Sequence, residues 1–402
     1  MNKLALRDIG VRDKRVLVRV DFNVPLDAKA GTITDDHRIQ ATLPTIKYLI
    51  RRKARVILIS HLGRPGGRVV DKLRLTVVAQ RLSQILGKQV GVAVNCIGPE
   101  VEKSVARLRD GDVLLLENLR FHSDEEIGSD SFAQALARLG DIFVNDAFGT
   151  SHRAHASIVG IANYLPSVAG LLLEKELKTL GGILEKPVHP FVSLLGGAKV
   201  SDKVSMLENI IGKVDSLLIG GGMAATFLKA KSYEVGQSLI ETDSLDTAVG
   251  LIDKATKNGV GLLLPVDVVV ADGLGAEAKA ETVSIENIPK DKQIVDIGPQ
   301  TIKDFSQELQ GCKTVFWNGP VGIYEIPWFA RGTKIMAEYL ANLKATTVIG
   351  GGSTAEIVIG MGLAEKMSFV STGGGASLRF LGGEILPGVE ALLNKGAKLG
   401  GS

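Results

Sequence analysis

Short apolar, β-branched runs alternate with amphipathic helical stretches along nearly the whole chain, and this alternation constrains the fold more than any single residue does. In the first half, residues 15–21 (RVLVRVD), 55–60 (RVILIS), 90–94, 113–117 (VLLLE) and 142–146 read as buried strands. Helical periodicity lies between them, near residues 39–52, 77–86, 100–109 and 130–139. Strands separated by helices are expected to form a mostly parallel sheet covered by helices on both faces. After Pro187 and Pro190 the pattern resumes, with strands at 191–195, 216–219, 261–264, 294–297, 314–317, 347–349 and 368–370. The helices of this half fall at 203–211, 224–229, 244–257, 299–310, 329–342 and 354–360. Between the halves, residues 171–184 (LLLEKELKTLGGIL) read as one helix ending at Gly181-Gly182, with Leu172, Leu173, Leu177, Leu180 and Leu184 near helical spacing. At 402 residues the chain exceeds one ordinary core. The expected architecture is α/β: a domain over 1–170, the connecting helix 171–184, and a second domain over 185–386.

Ligands of open parallel sheets bind beyond the carboxyl ends of the strands, so the residues there are the first functional candidates. In the first half those ends carry Asp21 and Asn23 with Arg38 following, then His61 and Arg64, then Arg120, then Asn145 and Asp146 with Arg153. Guanidinium forks gathered on one edge suit a phosphate or carboxylate, because each can give two parallel charge-assisted hydrogen bonds. A single such Arg would more readily be an exposed loop residue; four on one edge are less easily explained that way. His61 reads as an anion donor or a packed loop residue rather than a general base. His152 and His155 are spaced like a metal pair, but no further Cys/His cluster completes a site.

The second half carries glycine where the first carries arginine. The strand ends read Gly196-Gly197-Ala198-Lys199, Gly220-Gly221-Gly222, Gly298-Pro299, Asn318-Gly319-Pro320, Gly350-Gly351-Gly352 and Gly373-Gly374-Gly375. A glycine between strand and helix lets a phosphate approach backbone N–H groups, where the helix dipole favours anions. One such cluster is equally a tight turn or a close packing contact; several on one edge are harder to explain by packing alone. Neither the GxxxxGK[ST] loop nor a clean GxGxxG is present. Lys199 and Lys203, four apart, face either the strand-end crevice or solvent. Glu325 is a lone acid near the crevice, placed for a ribose or simply for the surface.

Composition limits the remaining classes. A formal net charge of +3 argues against a general nucleic-acid coat. No apolar run reaches the roughly 18–20 residues of a membrane span, and two distant cysteines, Cys96 and Cys312, fit a reducing compartment. A soluble cytoplasmic protein is expected. An anion held by side chains on one domain and a nucleotide held by backbone on the other fit phosphoryl transfer, which needs positioning and charge neutralisation more than covalent help. A carboxylate acceptor is already ionised, so no general base is required. The rivals are another kinase or ATP-dependent ligase acting on a different carboxylate, and a non-enzymatic sensor of phosphorylated metabolites.

Ten stretches, in order, resemble one family over essentially the whole chain: RVDFNVP at 19–25, DHRI at 36–39, SHLGRP at 60–65, LENLRF at 116–121, NDAFGTSHRAHAS at 145–157, LGGAKVSDK at 195–203, GGGM at 220–223, DIGPQT at 296–301, WNGPVGIYE at 317–325 and STGGGA at 371–376. The family is phosphoglycerate kinase. The resemblance implies two Rossmann-like domains joined by the central helix around a cleft, with the C-terminal tail, about 387–402, packing back on the first. It implies reversible phosphoryl transfer from 1,3-bisphosphoglycerate to ADP, giving 3-phosphoglycerate and ATP, with Mg²⁺, by direct in-line transfer after hinge closure in a cytoplasmic monomer. Carried over residue by residue, Asp21, Asn23, Arg38, His61, Arg64, Arg120 and Arg153 are expected to surround the phosphoglycerate. Gly197, Ala198, Lys199, Lys203, Gly221, Asn318, Pro320, Glu325, Gly350, Gly351, Gly352, Ser353 and Thr354 are expected to line the nucleotide site. Arg38, Lys199 and the backbone of Gly373, Gly374 and Gly375 are expected to stabilise the phosphoryl group in flight. Two positions depart from the family pattern. Ser353 stands where the family often has Asp near the metal-bound phosphates, which leaves the direct Mg²⁺ ligand unassigned, since a hydroxyl is a weaker metal partner than a carboxylate. Ile294 stands where the family commonly has Gly, and it is left out of the expected site.

Overall fold

The computed structural model describes residues 2–275 and 277–397. The chain divides into two compact units, one of residues up to Lys178 together with those from Ile385 onward, the other Thr179–Glu384.

In the first unit, β1 (Arg15–Arg19), β2 (Arg55–Ile59), β3 (Gly91–Val92), β4 (Val113–Leu115), β5 (Ile142–Asn145) and β6 (Ser167–Ala169) form a six-stranded sheet in the order β3-β4-β2-β1-β5-β6, all pairs parallel. The continuous apolar runs are explained by burial on both faces. Val16, Val18, Val56 and Leu58 enter one core cluster with the helix residues Ile46, Leu49, Val78 and Leu82. Leu17, Ile57, Ile59 and Phe143 point the other way, into a second cluster with Phe132 and Leu136. The pairing sets Arg19 level with Ile59 and with Asn145, so the loops after β1, β2 and β5 leave from one edge. Within this unit the C-terminal segment is stitched to the N-terminus: Leu4 N–H donates to the Leu393 carbonyl (2.7 Å), Lys395 N–H to Asn2 (2.8 Å), and Asn145 Nδ2 to the Gly388 carbonyl (3.0 Å). Residues 398–402 of the expected tail lie outside the described residues.

In the second unit, β7 (Phe191–Leu195), β8 (Ser216–Ile219) and β9 (Gly261–Leu263) belong to a second six-stranded parallel sheet. The intervening strands β10 (Asp267–Ala271), β11 (Ala280–Ser284) and β12 (Gln293–Ile297) form a separate antiparallel sheet in the order β11-β10-β12. The strands β13 (Thr314–Asn318), β14 (Thr346–Gly350) and β15 (Phe369–Val370) complete the parallel sheet as β15-β14-β13-β7-β8-β9. Val192, Leu194, Val315, Trp317 and Ile349 pack with Phe305, Met336 and Leu340 from the covering helices.

The structure corrects four sequence expectations. Strand 294–297 is not part of the parallel sheet, and Gly298-Pro299 therefore does not share its strand-end edge. The strands Asp267–Ala271 and Ala280–Ser284 that hold it in place were not expected; the second has an exposed, polar pattern with little periodic signal. The run 90–94 shortens to Gly91–Val92, an edge strand, and Val92 within it and Val94 just beyond it are exposed. The connecting helix does not stop at Gly181-Gly182 but runs Leu171–Glu185. Interior glycines cost a helix about 1 kcal/mol each, and here the burial of Leu173, Leu177, Leu180 and Ile183 along one stripe offsets that cost.

Candidate functional site

On the first unit, the end of β1 delivers a charged network into a dry setting. Arg19 is buried; its Nε donates to Ser157 Oγ (3.0 Å), Nη1 to the Val20 carbonyl, and Nη2 lies 3.2 Å from His61 Nδ1. A guanidinium has only donors, so His61 Nδ1 must accept, and the ring proton sits on Nε2. Burial pushes the His61 pKa well below its ordinary value; Asp21 opposes this, while Arg19, Arg120 and Arg38 reinforce it. His61 is thus a neutral imidazole with a committed Nε2–H donor. Ser157 passes the chain on to Glu125, fully buried, whose carboxylate accepts from Ser157 Oγ (2.5 Å) and Ser157 N–H (2.9 Å).

Around this core stand the expected residues. Burial alone would raise the Asp21 pKa; Arg38, with which it forms an ion pair, and then His61 and Arg19 hold it below its ordinary value. Arg38 reaches Asp21 from the first turn of the helix His37–Arg51. Asn23 Oδ1 accepts the Gly63 N–H (2.8 Å), tying the loop after β1 to the loop after β2. Arg120 Nη1 donates to the Gly63 carbonyl (2.9 Å), and its buried Nε lies 3.2 Å from Glu126 without a hydrogen bond. Burial lowers the Arg120 pKa; Glu126 opposes that shift, and the nearby charge of Arg153 adds to it. Arg64 is exposed and Arg153 half-buried, and among the described residues neither guanidinium has an ion pair or hydrogen bond. Asp146, at the end of β5, does different work. Its Oδ1 accepts the N–H groups of Leu172 (2.9 Å) and Leu173 (3.2 Å) at the start of the connecting helix, and burial pushes its pKa up to about 7.

On the second unit, parallel register brings the ends of β7, β8, β13, β14 and β15 to one edge. The glycines there serve two purposes. A Cβ on Gly196 would meet the Pro320 carbonyl at 2.1 Å, and one on Gly319 the Gly196 carbonyl at 2.3 Å. These loops interlock backbone to backbone, with Gly197 N–H donating to Pro320 (2.8 Å) and Gly221 N–H to Val321 (3.0 Å). Packing alone accounts for those glycines. A Cβ on Gly352, Gly374 or Gly375 would meet nothing within 4 Å, so that backbone is open to a ligand. Gly352 opens the helix Gly352–Gly360 behind Gly350 and Gly351; Thr354 Oγ1 accepts the Gly319 N–H (2.7 Å), and Asn318 Nδ2 is buried without a partner beside Gly351. Burial raises the Tyr324 pKa; the neighbouring Ser353 opposes that shift, and the charges of Glu356 and Glu325 add to it.

A cavity of about 340 Å³ opens beside these turns, walled by Gly197, Ala198, Gly221 and Pro320, with Leu239, Ile294 and the exposed Glu325 among its other lining residues. Ile294 therefore belongs to the candidate site after all. It reaches the wall from β12, where a bulge leaves Val295 out of the ladder, since Val270 pairs with Ile294 and Val269 with Asp296. Lys199 is exposed. Lys203 is buried, its ammonium near Gly197 and its pKa lowered by burial against the pull of Asp202 and Glu241. Lys199 precedes the short turn Ser201–Lys203 and Lys203 closes it, ahead of the helix Val204–Ile210, so the two lysines do not share a helix face. No group of three or more His, Cys, Asp or Glu able to hold a metal occurs among the described residues.

Arg19, Glu125, Ser157, Glu241 and Tyr324 were missed as site residues. Arg19 sits inside a strand that reads as apolar. Glu125, Ser157 and Glu241 meet their partners only through tertiary contacts, without a spacing signal.

Comparison with known proteins places this geometry. The family model for phosphoglycerate kinase matches residues 6–384. The phosphoglycerate kinase of Pelotomaculum thermopropionicum is 54% identical over 395 residues, covering 98% of this chain and 100% of the relative; that of Moorella thermoacetica is 53% identical with the same coverage. The solved phosphoglycerate kinase of Coxiella burnetii superposes with a TM-score of 0.85 at 42% identity, covering 97% of this chain and 98% of that one. With the family model, the named relatives and the solved structure all matching over nearly the whole chain, it belongs to the phosphoglycerate kinase family.

Proposed function

We propose that this chain divides the kinase reaction between its units, the first binding 3-phosphoglycerate or 1,3-bisphosphoglycerate and the second ADP or ATP. The observation that carries this reading is the contrast in what each strand-end edge offers a ligand. The first offers the unpartnered guanidinium groups of Arg64 and Arg153 beside Arg120 and the neutral donor His61. The second offers open backbone at Gly352, Gly374 and Gly375 and a largely apolar cavity fit for a base.

Arg64, Arg120, Arg153 and His61 Nε2–H hold the phosphate that is not transferred. Asp21 and Asn23 meet the hydroxyl and carboxyl end, and Arg38 faces the transferring group. Gly197, Ala198, Gly221 and Pro320 wall the base, Glu325 meets the ribose, and Lys199, Lys203, Asn318 and 350–354 meet the phosphates. Arg38, Lys199 and the N–H groups of Gly374 and Gly375 neutralise charge spread over the equatorial oxygens during in-line transfer, whereas the Gly373 N–H is already donated to Ser371 Oγ (3.1 Å) and shapes the turn. The acceptor carboxylate needs no base. Mg²⁺ supplies further neutralisation of the nucleotide phosphates when bound. The residues present fit a metal carried mainly by phosphate and water, because no group of three or more His, Cys, Asp or Glu able to hold a metal occurs among the described residues and Ser353 offers only a hydroxyl. The two ligands meet by closure about the Leu171–Glu185 helix, which excludes water from the acyl phosphate. Small-angle scattering with both ligands should show compaction; an unchanged profile counts against closure. We further propose a cytoplasmic protein, supported by the free, buried Cys96 and Cys312, which suit a reducing compartment, and a monomer, as the family resemblance implies.

The test is ATP formation from ADP and freshly generated 1,3-bisphosphoglycerate, with and without Mg²⁺. Fast Mg²⁺-dependent turnover supports the reading. Binding of both ligands without turnover contradicts it and favours a sensor.

A further inference from the structure

The loop that forms one wall of the base cavity also reaches the lysine turn. Ser238 and Leu239 line the cavity, and two residues on, Glu241, which is not part of that lining, carries its carboxylate to the Val200–Ser201 turn. Glu241 Oε2 accepts the N–H groups of Val200 (2.5 Å) and Ser201 (3.0 Å), and Oε1 accepts the Ser201 hydroxyl. Its own N–H donates to Thr226 Oγ1 (3.2 Å) on the buried helix Gly221–Ala230, so the Glu241 backbone is anchored to that helix. The turn it grips begins next to Lys199 and ends at Lys203. Burial raises the Glu241 pKa, but the Ser201 and Val200 donors and Lys199 pull it below its ordinary value, so it is ionised at neutral pH.

We propose that Glu241 is a positioning residue for nucleotide binding: by clamping the Val200–Ser201 turn it presents Lys199 to the nucleotide phosphates and couples that lysine to the wall of the base cavity. The physical reason is entropic. Lys199 is exposed and, beyond its longer-range attraction to Glu241, makes no hydrogen bond or ion pair among the described residues. Without the clamp, its backbone would have to be ordered at the moment of binding, which weakens affinity. The two N–H groups call for an acceptor, and the ammonium groups on either side favour a charged one. The proposal rests on the reading that Lys199 meets phosphate.

The experiment measures ADP and adenosine binding to the full chain by isothermal titration calorimetry for wild type, Lys199→Ala, Glu241→Ala, Glu241→Gln and the Lys199→Ala/Glu241→Ala double variant. Glu241→Ala should weaken ADP about tenfold, the order expected for loss of a charge-assisted phosphate contact. Adenosine affinity should stay within about twofold, because it lacks the phosphates Lys199 meets. Glu241→Gln keeps an acceptor oxygen for both N–H groups and should lose only about threefold. The double variant should be no more than about twofold worse than Lys199→Ala, because two residues acting through one contact are not additive. Three results overturn the proposal while leaving the reading of Lys199 intact: full ADP affinity in folded Glu241→Ala, multiplicative losses in the double variant, or an equal loss for adenosine. Unchanged ADP affinity in Lys199→Ala instead overturns that reading, and the proposal with it. If Glu241→Ala fails to fold, Glu241→Asp, one methylene shorter, carries the same prediction.

Discussion

Replacing Arg19 by Met tests the buried network at its centre. Met fills similar space and removes all three donations, to Ser157 Oγ, the Val20 carbonyl and His61 Nδ1. The Val20 carbonyl keeps its bond from Ser60 Oγ (3.0 Å), and Ser157 keeps Glu125. Three groups are left exposed to the loss: the buried Glu125 and Asp21 carboxylates, which each forfeit a counter-charge, and His61 Nδ1, which forfeits the Arg19 donor. Removing one partner of a buried charged pair costs roughly 3–5 kcal/mol. For a unit of this size that lowers the midpoint of its thermal transition by roughly 10 °C, at about 2–4 °C per kcal/mol. The second consequence is specific to His61. Arg19 depresses its pKa by donating to the neutral ring and repelling the charged one, so in Arg19→Met the pKa should rise. Long-range ¹H–¹⁵N spectra of the imidazole report both tautomer and charge. In the wild type His61 should be the neutral Nε2–H form and stay neutral down to mildly acidic pH; in the variant it should titrate at higher pH. A wild-type Nδ1–H tautomer, or a wild-type His61 that titrates in the ordinary histidine range, would refute the network as described. The stability consequence has a definite sign. With a folded pKa below the unfolded value near 6.5, the His61 contribution is present above that pH and is lost as the pH falls toward the folded pKa.

Other outcomes follow from the same geometry. Arg38→Ala should lower kcat by about 10²–10³-fold while changing 3-phosphoglycerate affinity far less, and steady-state kinetics beside calorimetric binding checks this; a variant that loses only affinity argues against a transition-state contact. Asp146, with its pKa pushed up to about 7, favours the folded state fully only below its unfolded pKa, and that advantage is lost as the pH rises toward 7; Asp146→Asn should therefore gain stability over wild type at pH 8 but not at pH 4, read from denaturation midpoints. The two kinds of glycine should separate cleanly. Gly319→Ala, which meets backbone at 2.3 Å with a left-handed φ of 92°, should fold poorly, whereas Gly375→Ala, which meets nothing within 4 Å, should melt within about 2 °C of wild type and still lose turnover. Equal effects on melting would undo that assignment.

How much of this was legible in the sequence depends on where the determining interaction lies. The parallel sheets were legible because Val16–Val18 and their counterparts are buried on both faces, which writes burial into every position of a short run. The antiparallel sheet was not, because Ala280–Ser284 is solvent-facing and β12 looks like any apolar strand until its partners are seen. The Arg and His candidates could be placed at strand ends, yet the sequence could not tell the inward-turned Arg120 from the free Arg64; that depends on Gly63 and Glu126. The glycine clusters were ambiguous for a physical reason: Gly319 removes a clash with backbone and Gly375 leaves room for a ligand, and both needs select the same residue. Glu241, forty residues from Ser201, had no local pattern to mark it.

The central claim is that the two substrates are held by separate sets of residues on separate units. Calorimetric titration of Arg153→Ala and Lys199→Ala, each with 3-phosphoglycerate alone and with ADP alone, tests it most directly. The account predicts that Arg153→Ala weakens 3-phosphoglycerate by at least tenfold and leaves ADP untouched, and that Lys199→Ala does the reverse. Loss of both ligands in either variant, or of the opposite ligand, would contradict it.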